Sequence, residues 1–177
     1  MKRRLRAIRA MALALVLLGA GGCGYHLANG GGAIPAGTRV VAVLPFANHT
    51  DQPQLSQAIS AAVAQSLLQR THYQVRAAAQ GSDVAIHGDL LSIKITPVTF
   101  DAASGRATTA EVVLRLRAWV TAEPGGKELF RNDDLTFHDQ YEISPQQQNF
   151  IEEDSSALHR LSLTIGQTLV SQILEAF

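Results

Sequence analysis

The chain has one cysteine among its 177 residues, so no disulfide can form within a single copy. It also lacks the short patterns that mark common catalytic and metal sites, because no GxSxG, P-loop, HExxH or CxxC sequence occurs. The six histidines never stand three or four residues apart on a predicted helix. These absences predict a protein that is not an enzyme and that has no metal ion or other cofactor.

An excess of basic charge is also missing. The chain has 15 Lys and Arg residues and 15 Asp and Glu residues. Five of the basic residues lie in the first 22 positions, which leaves ten basic against fifteen acidic residues and a net charge of −5 for the remainder. A nucleic-acid partner is not expected, because such proteins bind the phosphate backbone with a surplus of Lys and Arg.

The first 22 residues have the order of a secretory signal peptide. A basic head occupies residues 2–9, an unbroken apolar run follows at residues 10–18, and small residues lead up to Cys23. The apolar run is shorter than the ~20 residues that a helix needs to cross the hydrocarbon core of a bilayer. We therefore predict a signal peptide at residues 1–22, and a permanent membrane span is the weaker interpretation.

The small residues directly before Cys23 resemble the lipobox of bacterial lipoproteins, with Ala20 where that pattern usually has Leu or another aliphatic residue. The resemblance implies that Cys23 is diacylated, that the signal is cut just before it, and that its new amino group is acylated too. Two or three acyl chains suffice for stable anchoring. Gly24, where Asp would favour the inner membrane, implies the outer membrane and its periplasmic side.

Hydrophobic periodicity places one α+β domain after this anchor. Residues 29–37 are rich in glycine, so we assign residues 23–38 to the acylated terminus and a flexible tether, and residues 39–177 to a single domain. The predicted elements are strands at 39–46, 73–77, 82–98, 107–122 and 128–141 and helices at 52–70 and 154–176. This order predicts a two-layer sandwich, with two helices on one face of a mixed, mostly antiparallel sheet of four to five strands.

Three local features refine this prediction. Thr50 or Asp51 is placed to cap the first helix. The apolar positions of the strand at 82–98 change from even to odd numbers at residues 88–90, which predicts a β-bulge there. The strand at 107–122 alternates most clearly, and a turn at 123–126 is expected to pair it with the next strand as a hairpin.

The polar face of the strand at 107–122 is the candidate binding surface. Arg115, Arg117 and Trp119 stand at alternate positions, and Lys94 is expected nearby on the adjacent strand. Guanidinium groups beside an aromatic ring could engage phosphate groups of a lipid or carboxylates of a protein wall. The alternative is a solvated sheet face on which the arginines pair with acidic residues across strands.

Two other pairs of polar residues are candidates for chemistry. His87 and Asp89 share a strand face and could hold a metal ion with a third ligand, but an ordinary polar strand face is the favoured interpretation. Asp133 and Asp134 are neighbours in a predicted strand, so their side chains should point to opposite faces and make a poor general acid/base pair.

Several stretches of the mature chain are similar, in order and in overall length, to the LptE family of lipopolysaccharide-assembly lipoproteins. They are CGYHL at 23–27, VAVLPFANHT at 41–50, residues 83–88 and 95–98, residues 151–153 and 157–158, and LVSQILEAF at 169–177. The resemblance implies an outer-membrane lipoprotein that partners the LptD β-barrel as plug and assembly factor. In that family the pair places lipopolysaccharide in the outer leaflet, and the lipoprotein itself can contact this glycolipid.

A second resemblance belongs to a different class. The first strand, its turn and the helix that follows also look like the TolB amino-terminal domain and like lipoproteins that activate peptidoglycan synthases. Membership of that class would imply a protein-binding module that stays in the periplasm. The close of the chain, with a helix that runs to Phe177, favours the LptE family.

Overall fold

The structure is a computed structural model, and it describes residues 32–143 and 150–176. In chain order its elements are β1 (Val40–Val43), β2 (Ala47–Asn48), α1 (Leu55–Arg70), β3 (Gln74–Arg76), β4 (Val84–Phe100), β5 (Ala107–Ala122), β6 (Lys127–Glu142) and α2 (Phe150–Glu175). Neither helix combines the length and the apolar character that a membrane crossing requires, within the part of the chain that is described.

The six strands form one mixed sheet in the order β3-β1-β4-β5-β6, with β2 paired to β4. β1 is parallel to β3 and β4, whereas β4, β5 and β6 form an antiparallel meander. This arrangement confirms the predicted α+β fold. The first strand ends as β1 at Val43, before the predicted residue 46, since Pro45 has no N–H group to donate to a ladder, and the short β2 lies beyond the predicted strand.

The side of the sheet that faces the helices, called the inner face here, supplies half of the core. The six positions of β5 predicted to face inward are at most 2% exposed, and they are Ala110, Val112, Leu114, Leu116, Ala118 and Val120. The predicted apolar stripe of α1 is buried as well. The core is completed by four residues of α2, which are Leu161, Ile165, Leu169 and Ile173. The apolar face of the sheet and the apolar stripes of the two helices therefore pack against each other at one interface.

The bulge predicted in β4 is present, and its extra residue is Leu91. Leu90 lies opposite Leu116, whereas Ile93 lies opposite Leu114, so the register shifts between Leu90 and Ser92. The inward positions change from even to odd numbers at this point, immediately after the predicted residues 88–90. The bulge therefore keeps both apolar sets of this long strand on the inner face.

β6 contains bulges that the sequence pattern did not predict. Leu116 pairs with Leu135 but Ala118 pairs with Asn132, so one extra residue lies at the Asp133–Asp134 step. A second shift lies near the hairpin, because Val120 pairs with Phe130 but Thr121 pairs with Glu128. The prediction that Asp133 and Asp134 point to opposite faces was wrong, because both carboxylates contact arginines on the side of the sheet away from the helices.

The start of α1 also differs from the prediction. Its N-cap residue is Gln54, which makes no side-chain capping bond, so neither Thr50 nor Asp51 caps the helix. Instead, the Thr50 N–H donates to Asn48 Oδ1 at 2.9 Å, and the Gln52 N–H donates to Thr50 Oγ1 at 3.2 Å. These side chains close a local turn before the helix begins, which is a common alternative use of Asn and Thr.

The chain enters the described region against the end of α2. The Ala33 N–H donates to the Ile173 carbonyl at 3.0 Å, and the Ile34 side chain is only 6% exposed. The last residues of the predicted tether are therefore packed on the domain. The prediction of a flexible tether now concerns the residues before Gly32, which lie outside the described residues, as do the signal peptide and Cys23.

The two helices pack side by side with their C-terminal ends together. A Cβ atom at Gly166 of α2 would lie only 2.6 Å from the Ala62 carbonyl carbon of α1. Further along, Arg70 at the end of α1 donates to Ser171 Oγ at 2.6 Å and lies 3.8 Å from Glu175. The glycine lets the two backbones approach closely. The end of both helices and the entry of the chain at Gly32 therefore share one end of the domain, called the anchor end here.

Candidate functional site: the outer face of the sheet

The candidate residues lie on the side of β4, β5 and β6 away from the helices, called the outer face here. Strand register places them in rows: His87 beside Trp119 and Arg131, Asp89 beside Arg117, and Lys94 beside Val113. Arg115 lies in the row between Asp89 and Lys94. Because outward side chains of neighbouring strands stand next to each other, these rows bring residues from three strands into contact.

An aromatic stack forms the centre of this face near the β5–β6 hairpin. The His87 and Trp119 rings are nearly parallel, at 5°, with their centroids 5.1 Å apart. The guanidinium carbons of Arg117 and Arg131 lie 5.8 Å and 5.5 Å from the Trp119 ring centroid. The electron-rich face of the indole stabilises both cations. Trp119 therefore organises the surrounding charges and is itself held in one orientation.

The strongest ion pair of the face is Arg117 with Asp89. Arg117 Nε donates to Asp89 Oδ2 at 2.7 Å, and a second nitrogen of the same guanidinium also contacts that oxygen. The Asp89 residue is only 7% exposed. A carboxylate this well buried needs a charged partner, since removal from water otherwise costs several kcal/mol.

The other arginines of the outer face also have acidic partners. Arg115 lies 3.2 Å from Asp134, and both side chains are largely exposed. Arg131 donates at 2.9 Å to Asp133 and at 2.9 Å to Glu128. The hydrogen bond to Asp133, followed by that to Glu128, raises the pKa of Arg131 above its ordinary value. Positive and negative charges thus alternate over the surface.

The structure places Arg115, Arg117 and Trp119 on one face, with Lys94 on the same face one strand away. Each of the two arginines pairs with a carboxylate, which is the cross-strand arrangement that the sequence left as an alternative. Lys94 makes no ion pair within the described residues. Among the candidate residues, Lys94 therefore has a charged group that is exposed to solvent and not paired with a described carboxylate.

Sequence reasoning missed the contribution of β6 to this face. Arg131, Glu128 and Asp133 were not singled out, although they complete the surroundings of Trp119. The sequence shows that residues 127–134 are rich in charge. Which of these side chains lie on the outer face depends on the bulges of β6, and a run of polar residues gives no sign of a bulge.

His87 and Asp89 are both engaged by side chains of neighbouring strands. His87 Nε2 is 2.9 Å from Thr121 Oγ1, and Asp89 is occupied by Arg117. Among residues 32–143 and 150–176, no group of three His, Cys, Asp or Glu side chains could hold a metal ion. The favoured interpretation of these two residues, a polar strand face, agrees with their contacts.

Removal of the Asp89 carboxylate should destabilise the domain measurably. We expect Asp89→Asn to lower the free energy of unfolding by about 1–2 kcal/mol, because Arg117 then lies half-buried without its charged partner. Denaturant unfolding followed by circular dichroism would measure the change. The matched control is Asp134→Asn, whose exposed pair with Arg115 should contribute less than about 1 kcal/mol. Equal effects of the two substitutions would contradict this ranking.

His87 should make the stability depend on pH. Burial lowers the pKa of His87 below its ordinary value, although the Glu123 and Asp89 carboxylates oppose this effect. Because the unfolded chain then binds the proton more tightly, the contribution of His87 is complete above about pH 6.5 and is lost as the pH falls below it. The difference in unfolding free energy between wild type and His87→Gln should therefore be larger at pH 7.5 than at pH 5. A difference that does not change with pH would contradict this.

The α+β fold, together with the predicted signal peptide and the lipobox-like sequence before Cys23, is typical of small bacterial lipoproteins. The family model described as LptE, lipopolysaccharide-assembly, matches residues 38–173, which is most of the chain. The chain therefore belongs to the LptE family, and this result favours the first resemblance over the TolB-like one.

Solved structures support the fold. Lipoprotein B from Nitrosomonas europaea, described as uncharacterized, is similar with a TM-score of 0.54 and 14% identity, over 77% of this chain and 83% of that chain. The PelC dodecamer from Paraburkholderia phytofirmans is similar with a TM-score of 0.50 and 15% identity, over 81% of this chain and 94% of that chain. A search of curated proteins found no significant match. At these identities the two structures establish a shared fold only.

Proposed function

We propose that this protein is an outer-membrane lipoprotein that partners an LptD-like β-barrel as plug and assembly factor, while lipopolysaccharide is placed in the outer leaflet. The observation that carries the proposal is the LptE family match over residues 38–173. In this proposal Cys23 carries the acyl groups, and the domain lies on the periplasmic side of the outer membrane. The protein acts by binding, without catalysis and without a cofactor beyond its own lipid.

The outer face suits a polar barrel interior. Its strands β4, β5 and β6 have 17, 16 and 16 residues, and their outward side chains are mainly polar or charged. Barrel lumens in the outer membrane are polar as well. Since Arg115, Arg117 and Arg131 already have acidic partners, contact with a wall would bury these three side chains as ion pairs and not as single charges. A wall that supplies hydrogen bonds to these pairs and a polar partner to Lys94 would therefore be complementary to this face.

The four candidate residues have two different roles in this proposal. Arg115, Arg117 and Trp119 form the paired, stacked surface that meets the wall. Lys94 is the candidate for a phosphate group of lipopolysaccharide, because its ammonium group has no acidic partner among the described residues. For the arginines to bind phosphate, their existing ion pairs would first have to break.

The test is to purify the full-length protein from detergent-solubilised outer membranes and to identify what accompanies it. The proposal expects a large β-barrel protein in stoichiometric amount. A peptidoglycan synthase or a soluble periplasmic protein in its place would contradict the proposal and restore the second resemblance.

A matched pair of variants tests the outer face in the same preparation. Thr136→Trp adds bulk beside Arg115 without removing any ion pair, whereas Thr164→Trp makes the same change on an exposed position of α2. We expect less barrel protein with Thr136→Trp than with Thr164→Trp. Equal recovery with both variants would show that the outer face is not the main contact.

A further inference from the structure

An apolar groove lies between α1 and the edge of the sheet formed by β1 and β3, well away from the outer face. Its volume is about 400 Å³, and it is lined mainly by apolar or small side chains. Val43 and Val75 form its floor, Ala61 and Ala64 line the helix side, and Leu68 and Arg76 stand at its rim. Apolar grooves with a few polar groups at the edge are typical of ligand sites.

The groove exists because α1 has small residues on the flank that is turned away from α2. Alanine and serine at these positions leave space above the sheet that larger side chains would fill. Leu68 is 59% exposed at the rim, so an apolar side chain is accessible from solvent beside the groove. An extended peptide is a poor occupant, since β3 has only three residues to offer as an edge for strand pairing.

The dimensions of the groove fit one acyl chain. Its lining on α1 runs from Ser56 to Leu68, and at ~1.5 Å of rise per residue this is about 18 Å. One leaflet of a bilayer has a hydrocarbon thickness of roughly 15 Å, half of the ~30 Å core, which is the length that an acyl chain spans. The groove is therefore long enough for a single chain and too small for a multi-chain lipid.

Charge at the rim indicates the head group. The Arg76 side chain is exposed and makes no ion pair within the described residues, unlike the three arginines of the outer face. A free guanidinium next to an apolar channel is complementary to a phosphate attached to an acyl-bearing sugar. No carboxylate lines the groove to repel such a group.

The groove also lies within reach of a membrane. Leu68 is two residues from the end of α1, and Arg70 holds that end against Ser171 and Glu175 of α2 at the anchor end. The chain enters there, and Cys23 is nine residues before Gly32, so the acylated residue can lie at most about 30 Å away. With Cys23 acylated as proposed above, the Leu68 end of the groove can therefore lie within this distance of the membrane.

We propose that this groove binds one acyl chain of a lipopolysaccharide molecule, with a phosphate of the same molecule on Arg76. The inference rests on the proposed function, because lipopolysaccharide is the acyl-bearing phosphorylated glycolipid that an LptE family member meets. It differs from the outer-face proposal in location and in chemistry, since burial of methylene groups supplies the affinity and a single cation supplies selectivity.

The experiment uses the full-length protein in living cells, with a photoreactive phenylalanine derivative in place of Leu68. Irradiation should yield an adduct that antibodies to lipopolysaccharide detect. The matched control places the same group at Gln69, which is exposed on the same helix but does not line the groove. Ala64→Trp, added to the Leu68 probe, fills the groove, and we expect it to lower the adduct by about tenfold or more, as would the loss of two buried methylenes.

Three further comparisons decide the outcome. Ala61→Trp fills the exposed side of the groove if Ala64→Trp fails to fold, and Arg76→Glu should also lower the adduct. An equal adduct at Gln69, an adduct that survives both tryptophan variants, or an adduct with protein, phospholipid or the chain's own acyl groups would overturn the proposal. The amount of barrel protein that purifies with the lipoprotein is measured in the same samples. If the barrel protein is recovered but the Leu68 probe gives no adduct, lipid binding in the groove is rejected and the proposed function stands. If the barrel protein is absent, the proposed function itself is rejected.

Discussion

Cys23→Ala should abolish lipid anchoring and leave the signal peptide attached. We expect acylation of the Cys23 thiol to precede cleavage of the signal, so the variant should retain residues 1–22. Each buried methylene contributes about 0.8 kcal/mol to membrane binding, so loss of two or three chains removes far more than any side-chain contact can replace. The result should be a precursor that is absent from the outer membrane fraction.

Mass analysis of the purified protein and density separation of the two membranes measure this prediction. The wild-type chain should begin at an acylated Cys23, and the variant should have the unmodified mass of the full sequence. Gly22→Ala is the matched control, because it keeps a small residue before the cysteine and should be processed normally. An unmodified mature N-terminus in the wild type would contradict lipid attachment.

Gly166→Leu should have the largest effect on folding. Even the first atom of a side chain at residue 166 would be 2.6 Å from the Ala62 carbonyl carbon and 2.8 Å from its oxygen. Backbone atoms cannot rotate away, so the helices must separate and lose contacts along the core. Overpacking of this kind costs about 1–3 kcal/mol or more, and we expect a cost at or above about 3 kcal/mol for leucine.

A substitution to alanine at Gly166 tests whether the change in unfolding free energy is stabilising or destabilising. In an exposed helix, glycine to alanine gains about 1 kcal/mol through helix propensity. Here Gly166→Ala should still destabilise, because a contact with the backbone of Ala62 outweighs that gain. Thermal unfolding of both variants would be compared with Gln167→Leu, a neighbouring exposed position that should change little. A stabilising Gly166→Ala would show that the helices are not in close contact.

Several parts of the fold could be predicted because their signals are local. In β5 the alternation of apolar and polar residues indicates which side chains face inward. In β4 the apolar positions change from even to odd numbers, and this change reveals the bulge because apolar residues stand on both sides of it. In β6 the bulged residues Asp133 and Asp134 are polar, so no change of apolar parity marks the shift. The predicted facing of the two aspartates failed for that reason.

The candidate binding surface was also predicted only in part from the sequence. Alternate spacing was enough to put Arg115, Arg117 and Trp119 on one face. Their partners required the register between strands, since Asp89 is 28 residues from Arg117 and Asp134 is 19 residues from Arg115. Whether an arginine is free or paired changes its chemistry, and the register determines which of these two states holds.

By itself the sequence determined the helices, most strand faces and the family, because each depends on residue order or on short periodicity, and the signal peptide and the lipid site at Cys23 stay predictions of the same kind. The tertiary structure alone decided which charges pair, where the helix backbones touch and where a groove stays open beside α1. These features depend on atoms far apart in the chain, and their positions follow from strand register and helix packing. The ion pairs of the outer face and the free Arg76 at the groove are the clearest products of that long-range geometry.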